Sequence, residues 1–250
     1  AYWNAVLHDC VFASFPGNIL VAAEMGLSKM RQSYEKTVRV FICPSKFMRE
    51  KMEDWGEPAG KLKYVPNPVA WPDTPALCGG GYVLYVGRLS SEKGVQHLLE
   101  AIVQIPDLRI KIAGRGPEED HLRQFVRQKG AVNVEFLGFL APDDLASVRR
   151  RAEAVVLPTL SYENASGALL EAMADGIPCL ATRIGGNPEL IEDEVNCLLV
   201  SPNDAEDWIR VLRRFMAIPT EIRRRMGESG RERIVNERTW EMHLRSLDLC

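Results

Sequence analysis

The stretch SYENASGALLEAMADGIP, residues 161–178, decides the fold because it predicts a loop, a short helix and then the start of a strand. Ser166 is a residue type that caps helix N-termini, and Gly176 is typical of a helix C-terminus. Glu163 therefore lies in the loop, and Glu171 lies about a turn and a half inside the helix. Backbone N–H groups without partners at such a helix start attract phosphate, so the stretch also predicts an anion site.

Short β-rich runs alternate with helical patterns on both sides of this stretch. The runs typical of strands are residues 82–86, 109–113, 132–137, 154–157, 179–182 and 197–200. The patterns typical of helices, besides the helix after Ser166, are residues 95–105, 118–129, 142–150, 188–191 and 205–216. Such alternation predicts parallel strands joined by crossover connections. We therefore expect an α/β fold whose six-stranded sheet is doubly wound, with helices on both faces.

The composition is that of an ordinary globular protein of 250 residues, 46% hydrophobic and 26% charged. The 34 acidic residues outnumber the 31 basic ones, so the formal charge of -3 gives no reason to expect nucleic acid as a partner. The six cysteines form no C-x-x-C pair and have no zinc-like spacing with the four histidines, so we expect no metal site. We expect most cysteines to be buried in a reducing, cytoplasmic compartment. No stretch approaches the roughly 20 apolar residues of a membrane span.

The chain divides into segments of different character. Residues 1–69 are too few for a complete α/β domain, so we expect a partial N-terminal domain there. Residues 70–81 contain two prolines and three consecutive glycines and are typical of a linker. The sheet domain is expected over residues 82–236 and a helical tail over residues 237–250. Because the chain starts with Ala1 and not with methionine, we expect it to be cut at its beginning.

Two cations follow the first strand of the predicted sheet, in GRLSSEKG, residues 87–94. The loops at the carboxyl ends of strands are where open α/β sheets bind ligands. Arg88 offers a planar fork to phosphate oxygens and Lys93 a mobile point charge, so the two together can neutralise a diphosphate. Taken alone, the pair is more typical of two solvated surface side chains.

Two glycine-rich loops follow other strands. In AGRGP, residues 113–117, Gly114 and Gly116 either let the backbone pass close to a ligand or make a tight turn. The segment is not a dinucleotide fingerprint, because Glu119 stands where the third glycine is needed. RIGGNPE, residues 183–189, enters a short helix and leaves room for a sugar or phosphate. Because parallel strands end at one edge of a sheet, we expect all four loops to converge there.

In order and spacing, these segments resemble the donor-binding domain of GT-B glycosyltransferases, in particular the retaining family 4, glycosyl transferases group 1. The resemblance covers roughly residues 38–216 and is carried by residues 43–48, 65–69, 86–94, 113–117, 136–139, 157–159, 163–178, 185–189 and 196–200. It implies a GT-B type α/β fold, with one complete Rossmann-like doubly wound domain and a partial N-terminal α/β domain.

The resemblance also implies the activity. A retaining glycosyltransferase of hexosyltransferase type (EC 2.4), here a fragment, moves a sugar from a nucleotide-diphosphate sugar to a hydroxyl of a sugar or lipid-linked sugar acceptor. It needs no cofactor and no metal. Such a protein is cytoplasmic; the resemblance leaves open a place at the cytoplasmic face of a membrane, peripheral membrane association of the full-length parent, and the oligomeric state.

Residue roles follow from the matched motifs. The resemblance implies that Arg88 and Lys93 bind the diphosphate, that Glu163 faces the donor sugar, and that Glu171 accepts hydrogen bonds from the ribose. The donor-binding residues so implied are Gly87, Arg88, Lys93, Gly114, Gly116, Phe139, Glu163, Asn164, Ala165, Ser166, Gly167, Leu170 and Glu171. The catalytic candidates are Arg88, Lys93, Glu163 and His8; His8 resembles a strand-end histidine that faces the sugar in some relatives, and a structural or exposed histidine is the other interpretation.

The sequence departs from the family pattern at one position of the expected pocket, and two other functions are considered. Ala165-Ser166 stands where the family often has Phe-Gly, which widens the floor of the expected pocket. The main rival is a non-catalytic nucleotide-sugar binding or interaction module. A nucleotide-dependent oxidoreductase is disfavoured by the missing third glycine and by the lack of an acidic residue that closes a first βαβ unit.

Overall fold

The computed structural model describes residues 15–76 and 79–248. Within these residues the α-helices are α1 (Phe15–Arg31), α2 (Ser33–Thr37), α3 (Lys46–Asp54), α4 (Val95–Ile102), α5 (Glu119–Gln128), α6 (Pro142–Arg149), α7 (Gly167–Asp175), α8 (Asn187–Leu190), α9 (Ala205–Ala217), α10 (Thr220–Glu237) and α11 (Trp240–Asp248). The strands are β1 (Phe41–Cys43), β2 (Leu62–Tyr64), β3 (Tyr82–Val86), β4 (Arg109–Ala113), β5 (Val134–Gly138), β6 (Ala154–Leu157), β7 (Cys179–Thr182) and β8 (Cys197–Val200).

Six of the strands form one parallel sheet in the order β5-β4-β3-β6-β7-β8, and β1 and β2 form a separate two-stranded sheet. In the large sheet, Val83 of β3 lies between Ile110 of β4 and Ala154 of β6. The chain therefore leaves β3 in one direction for β4 and β5, and then returns to the other side of β3 for β6. This reversal creates a switch point between β3 and β6, and the predicted doubly wound α/β fold is confirmed.

Both faces of the sheet are buried, and alternate side chains of each strand pack into the core on one face or the other. Val83 and Tyr85 lie in a core with Trp208 of α9, whereas Leu84 lies in a second core with Met173 of α7. Successive side chains of a strand point to opposite faces, so a continuous apolar run is stable only where helices cover both sides. Each fully buried large apolar side chain contributes about 2 kcal/mol, and this packing fixes the carboxyl ends of the strands in space.

Asn133 explains why β5 begins two residues later than expected. Its side chain is buried, and its amide donates hydrogen bonds to the carbonyls of Ile102, Ile105 and Leu108 at 3.2, 3.1 and 2.8 Å. Residues around Asn133 therefore close the turn after α4, and strand pairing starts only at Val134.

The chain divides into two compact units, residues 1–42 with 50–63 and residues 43–49 with 64–250. In the first unit, Lys29 of α1 forms ion pairs with Glu35 and Glu57 at 2.6 and 3.0 Å. The second unit contains the six-stranded sheet. The domain limits expected at residues 69, 81 and 236 stay predictions. Among the helices of the described residues, none combines the length and apolarity needed to span a bilayer.

Candidate functional site

The loops after β3 and β6 interlock at the switch point. The N–H of Leu160 donates a hydrogen bond to the carbonyl of Glu92 at 2.8 Å. Gly94 has a φ of +65°, and a Cβ atom placed on it would lie 2.1 Å from the carbonyl oxygen of Pro158. Only glycine fits here. A side chain would be strained in this left-handed backbone conformation and would also clash with the neighbouring loop.

The loops after β4 and β7 join this edge through their backbones. The N–H groups of Gly87 and Leu89 donate to the carbonyls of Ala113 and Arg115 at 3.1 and 2.9 Å. On the other side, the N–H of Gly186 donates to the carbonyl of Glu163 at 2.6 Å. The four loops that the sequence predicted to converge therefore lie side by side.

An ion pair between Lys93 and Glu163 lies at the centre of this edge. The Nζ atom of Lys93 is 2.5 Å from Oε1 of Glu163, and the two side chains are 31% and 19% exposed. The hydroxyl of Thr159 lies within hydrogen-bond distance of the same carboxylate oxygen, at 3.3 Å, and of the Glu92 carbonyl, at 3.4 Å. Thr159 is held in turn by Thr182, whose buried hydroxyl donates to the Thr159 carbonyl at 2.7 Å. The sheet therefore supports the acidic member of the pair through two threonines.

Arg88 is the second cation of the edge. Its side chain is exposed and has no ion pair or hydrogen bond with the residues that the structure describes. Its backbone is fixed by Tyr85, whose phenol donates to the Arg88 carbonyl at 2.8 Å. Burial raises the pKa of Tyr85, with smaller contributions from the carboxylates of Glu163 and Glu92, so the phenol keeps the proton that it donates. The guanidinium is therefore available to an anion.

Glu171 belongs to a three-residue network beside α7. Its Oε2 atom lies 2.5 Å from Nη1 of Arg149, and Nε of the same guanidinium lies 2.7 Å from Oδ2 of Asp175. The side chains of Arg149, Asp175 and Glu171 are 12%, 3% and 47% exposed. The network therefore runs from a buried carboxylate to a carboxylate that faces solvent.

A cavity of about 270 Å³ lies against the first turns of α7. It is lined by Asn67, Pro68, Val69, Ala165, Gly167, Leu170, Glu171 and Trp240. Four of these residues are in the donor-binding set predicted from the sequence. The N–H groups at the start of α7 have no partner inside the helix. Ser166 has the backbone conformation of an N-cap residue but makes no capping hydrogen bond through its side chain.

The remaining predicted residues have different surroundings. Phe139 is 73% exposed beyond the end of β5, and Asn164 is exposed in the loop before α7. A Cβ atom on Gly116 would lie 2.1 Å from the carbonyl oxygen of Leu89, and one on Gly114 would lie 1.8 Å from the carbonyl oxygen of Gly87. Both glycines therefore serve close approach between loops.

Two further sequence-based expectations concern His8 and the absence of a metal ion. His8 lies outside the described residues, so its catalytic role stays a prediction. Within residues 15–76 and 79–248, no group of three or more histidine, cysteine or acidic side chains is arranged to hold a metal ion. The expectation of a site without a metal or cofactor also stays a prediction.

Sequence reasoning missed four residues of this region: Thr159, Arg149, Asp175 and Trp240. Asp175 follows Glu171 by four positions, and residues at that spacing lie on one face of a helix. This spacing was the one sequence signal that Glu171 and Asp175 could bind the same cation. No local pattern points to Arg149 as that cation, because it comes from a different helix, 22 residues earlier.

Comparison with known families identifies a match over most of the second unit. The family described as glycosyl transferases group 1 matches residues 78–233. The lipopolysaccharide core biosynthesis glycosyltransferase LpsE of Rhizobium meliloti is 27% identical over 225 residues, which cover 86% of this chain and 64% of LpsE. The MMP alpha-(1->4)-mannosyltransferase of Mycolicibacterium hassiacum is 33% identical over 158 residues, which cover 60% of this chain and 37% of that enzyme. The chain thus spans less than two thirds of either relative.

Among solved structures, the chain is similar to the crystal structure of Anabaena HepE in complex with UDP and glucose. The TM-score is 0.77 at 20% sequence identity, and the match covers 93% of this chain and 66% of HepE. At this level of identity the similarity establishes the fold.

Proposed function

Because the chain belongs to the glycosyl transferases group 1 family, we propose that it binds a nucleotide-diphosphate sugar at the carboxyl edge of the six-stranded sheet and transfers the sugar to a hydroxyl of an acceptor. The observation that carries this proposal is the meeting of the basic loop after β3 with the acidic loop after β6. Lys93 and Glu163 are in contact there, and Arg88 lies on the same loop as Lys93.

The two cations act on the diphosphate. The guanidinium of Arg88 has no partner among the described residues, and the ammonium of Lys93 is held only by an ion pair that is partly exposed. Exposed or partly exposed pairs contribute about 1 kcal/mol or less, so a diphosphate with several negative oxygens competes effectively for Lys93. Both cations then stabilise the charge that grows on the leaving diphosphate during transfer.

The two glutamates act on the hydroxyl groups of the donor. When Lys93 turns to the diphosphate, Oε1 of Glu163 becomes free to accept a hydrogen bond from the donor sugar, with Thr159 keeping the carboxylate in place. Glu171 accepts hydrogen bonds from the ribose hydroxyls. The N–H groups at the start of α7 donate hydrogen bonds to phosphate or sugar oxygens.

The transfer step exchanges one bond for another at the anomeric carbon. The bond from that carbon to the diphosphate oxygen breaks, and its electron pair stays on the diphosphate. A bond to the acceptor oxygen forms on the same face of the sugar, with retention, and the proton of the acceptor hydroxyl passes to the departing diphosphate oxygen. Two cations replace the metal that other scaffolds use for the leaving group. The acceptor class, a sugar or a lipid-linked sugar, and any association with a membrane surface are parts of this proposal.

Calorimetry tests the binding half of the proposal. Since the Anabaena protein was crystallised with UDP, uridine diphosphate is the first probe, followed by guanosine and adenosine diphosphates. We expect at least one to bind at or below millimolar concentration, and Glu171→Gln to weaken it about tenfold. Glu194→Gln is the matched control, because Glu194 is also exposed and paired with an arginine, Arg214 at 2.8 Å, away from the site. Failure of all three diphosphates to bind overturns the proposal.

A non-catalytic nucleotide-sugar binding module shares the binding result and differs in turnover. Incubation of the wild-type chain with the nucleotide sugar of the preferred base, followed by proton NMR of the anomeric signals, separates the two functions. Transfer to water or to an added saccharide, with the α or β configuration of the donor kept, supports a retaining transferase. Binding without any release of sugar supports the module.

A further inference from the structure

We propose that Arg149 is a positioning residue for ribose recognition: it fixes the carboxylate of Glu171 in the orientation that receives the two ribose hydroxyls, and buried Asp175 fixes Arg149. The inference rests on the proposed function, since it concerns the same nucleotide site. Arg149 itself touches no ligand in this arrangement and acts through Glu171.

The anchor of the arrangement is buried. Asp175 is the last residue of α7 and its side chain is 3% exposed, and Arg149 is the last residue of α6 with a side chain that is 12% exposed. A buried carboxylate needs a charged or hydrogen-bonding partner, because water cannot solvate it. The bond from Nε of Arg149 to Asp175, at 2.7 Å, provides that partner and removes the freedom of the arginine side chain.

The outer end of the arrangement is accessible. Glu171 is 47% exposed and lines the 270 Å³ cavity beside α7. Its Oε2 atom is bound to Nη1 of Arg149, whereas its Oε1 atom accepts no hydrogen bond from the part of the chain that the structure describes. One oxygen is therefore held by the protein and the other is available to a hydroxyl donor.

A carboxylate held in this way suits a vicinal diol, because the lone pairs that Arg149 leaves free can accept hydrogen bonds from both hydroxyls. A half-exposed glutamate on a helix normally samples several rotamers, and binding then has to order it. Arg149 reduces this cost before the ligand arrives, since the same guanidinium is bound to the buried carboxylate of Asp175. Adjacent 2' and 3' hydroxyls then meet a carboxylate of fixed orientation. A lysine cannot replace this function, because a single ammonium lacks the planar fork that reaches both carboxylates from fixed positions.

The test compares ribose-dependent affinity in matched variants. The probe is the tightest binder among uridine, guanosine and adenosine diphosphates, and its 2',3'-dideoxy form serves as the reference that lacks both hydroxyls. Calorimetry gives the two dissociation constants for wild type, Arg149→Met, Arg149→Lys and Arg150→Met. Arg150 is the control, because among the described residues its guanidinium donates hydrogen bonds only to the carbonyl and hydroxyl of Thr74 and the carbonyl of Pro75.

We expect wild type and Arg150→Met to prefer the ribose form by about tenfold, as the loss of hydrogen bonds to a charged group implies. Arg149→Met should reduce this preference to within about twofold while the affinity for the dideoxy form stays unchanged. Arg149→Lys, which keeps the charge and protects the fold, should lose most of the preference as well.

The outcomes separate this inference from the proposed function. Wild type that binds none of the diphosphates overturns both. Wild type that binds but does not distinguish ribose from dideoxyribose overturns the role of Glu171 and with it that of Arg149. A preference that persists in Arg149→Met and in Arg149→Lys, even with a lowered unfolding temperature, shows a merely structural arginine and overturns this inference alone.

Discussion

The two glutamates of the site, Glu163 and Glu171, lie in regions that hold a carboxylate in opposite ways. Glu163 lies on a loop, is 19% exposed, and is paired with Lys93, a cation that the proposed function assigns to the ligand. Glu171 lies on a helix, is 47% exposed, and is paired with Arg149, a cation bound to the buried Asp175. Glu163, the more buried carboxylate, is thus paired with a cation that the proposed function gives to the ligand. Glu171, the more exposed carboxylate, is paired with a cation that is anchored by a second ion pair.

The difference shows that exposure alone does not describe how ready a charged group is for a ligand. In the loop region, the geometry depends on backbones that interlock and on the ion pair of Lys93 with Glu163, which the proposed function exchanges for a diphosphate. In the helix region, the geometry depends on the buried ion pair of Arg149 with Asp175. Substitutions can remove each kind of support separately.

The interlocked loops should give the largest effect. Gly94 and Gly130 have φ values of +65° and +63°, but only at Gly94 would a Cβ atom meet a neighbour, the Pro158 carbonyl at 2.1 Å. We expect Gly94→Ala to lower the free energy of unfolding by about 4 kcal/mol through left-handed strain and overpacking, and Gly130→Ala by about 1 kcal/mol through strain alone. Urea unfolding of both variants measures this, and equal losses would show that the loops do not interlock.

The buried ion pair should give the next largest effect. Arg149→Met leaves the Asp175 carboxylate buried without its partner, so we expect a loss of about 3 kcal/mol in the free energy of unfolding. Glu171→Gln removes only the exposed arm of the same network and should cost less than about 0.5 kcal/mol. Thermal unfolding monitored by circular dichroism gives both numbers. Similar losses for the two variants would mean that the buried and exposed arms are equally important.

Ligand affinity should respond with opposite signs in the two regions. Glu163→Gln releases Lys93 from its ion pair, so we expect the diphosphate to bind about threefold more tightly. Glu171→Gln weakens acceptance from the ribose, so the same diphosphate should bind about tenfold less tightly. Calorimetry with both variants checks the signs. Weaker binding in both would contradict the exchange of Lys93 between Glu163 and the ligand.

A smaller effect is expected from Tyr85 at alkaline pH. Burial raises the folded-state pKa of Tyr85 above its unfolded value, so its stabilising effect is complete below about pH 10 and is lost as the pH rises through the folded pKa. We expect Tyr85→Phe to cost about 1 kcal/mol at pH 8, because the hydrogen bond to the Arg88 carbonyl is lost. The difference between wild type and variant should shrink above pH 10. Urea unfolding at pH 8 and pH 11 measures it, and a difference that grows with pH would exclude this account.

The sequence predicts the fold of the second unit well, because there local and global signals agree. The strands from 82–86 to 197–200 are continuous apolar runs between clear breakers, and a parallel sheet covered on both faces needs such runs. The start of β5 could not be predicted, because it depends on Asn133 binding carbonyls more than 20 residues away.

The candidate site could be predicted only in part. The convergence of the loops follows from parallel topology, so it could be inferred from the positions of strand ends. The partners of the charged side chains could not, because pairing depends on distances between elements. The contact of Lys93 with Glu163 joins residues 70 positions apart, and that of Arg149 with Glu171 joins two helices. Sequence motifs thus identify many of the candidate residues, whereas tertiary packing determines which of them contact each other.

The most direct test of the central claim compares two lysines with similar surroundings. Lys93 and Lys111 are 31% and 29% exposed and each is paired with a glutamate, Glu163 and Glu135, but only Lys93 lies at the carboxyl edge of the sheet. Calorimetry should show the tightest-binding nucleoside diphosphate losing about tenfold or more in affinity for Lys93→Met, while Lys111→Met binds as wild type does. Equal affinities for the two variants would contradict a diphosphate site at this edge.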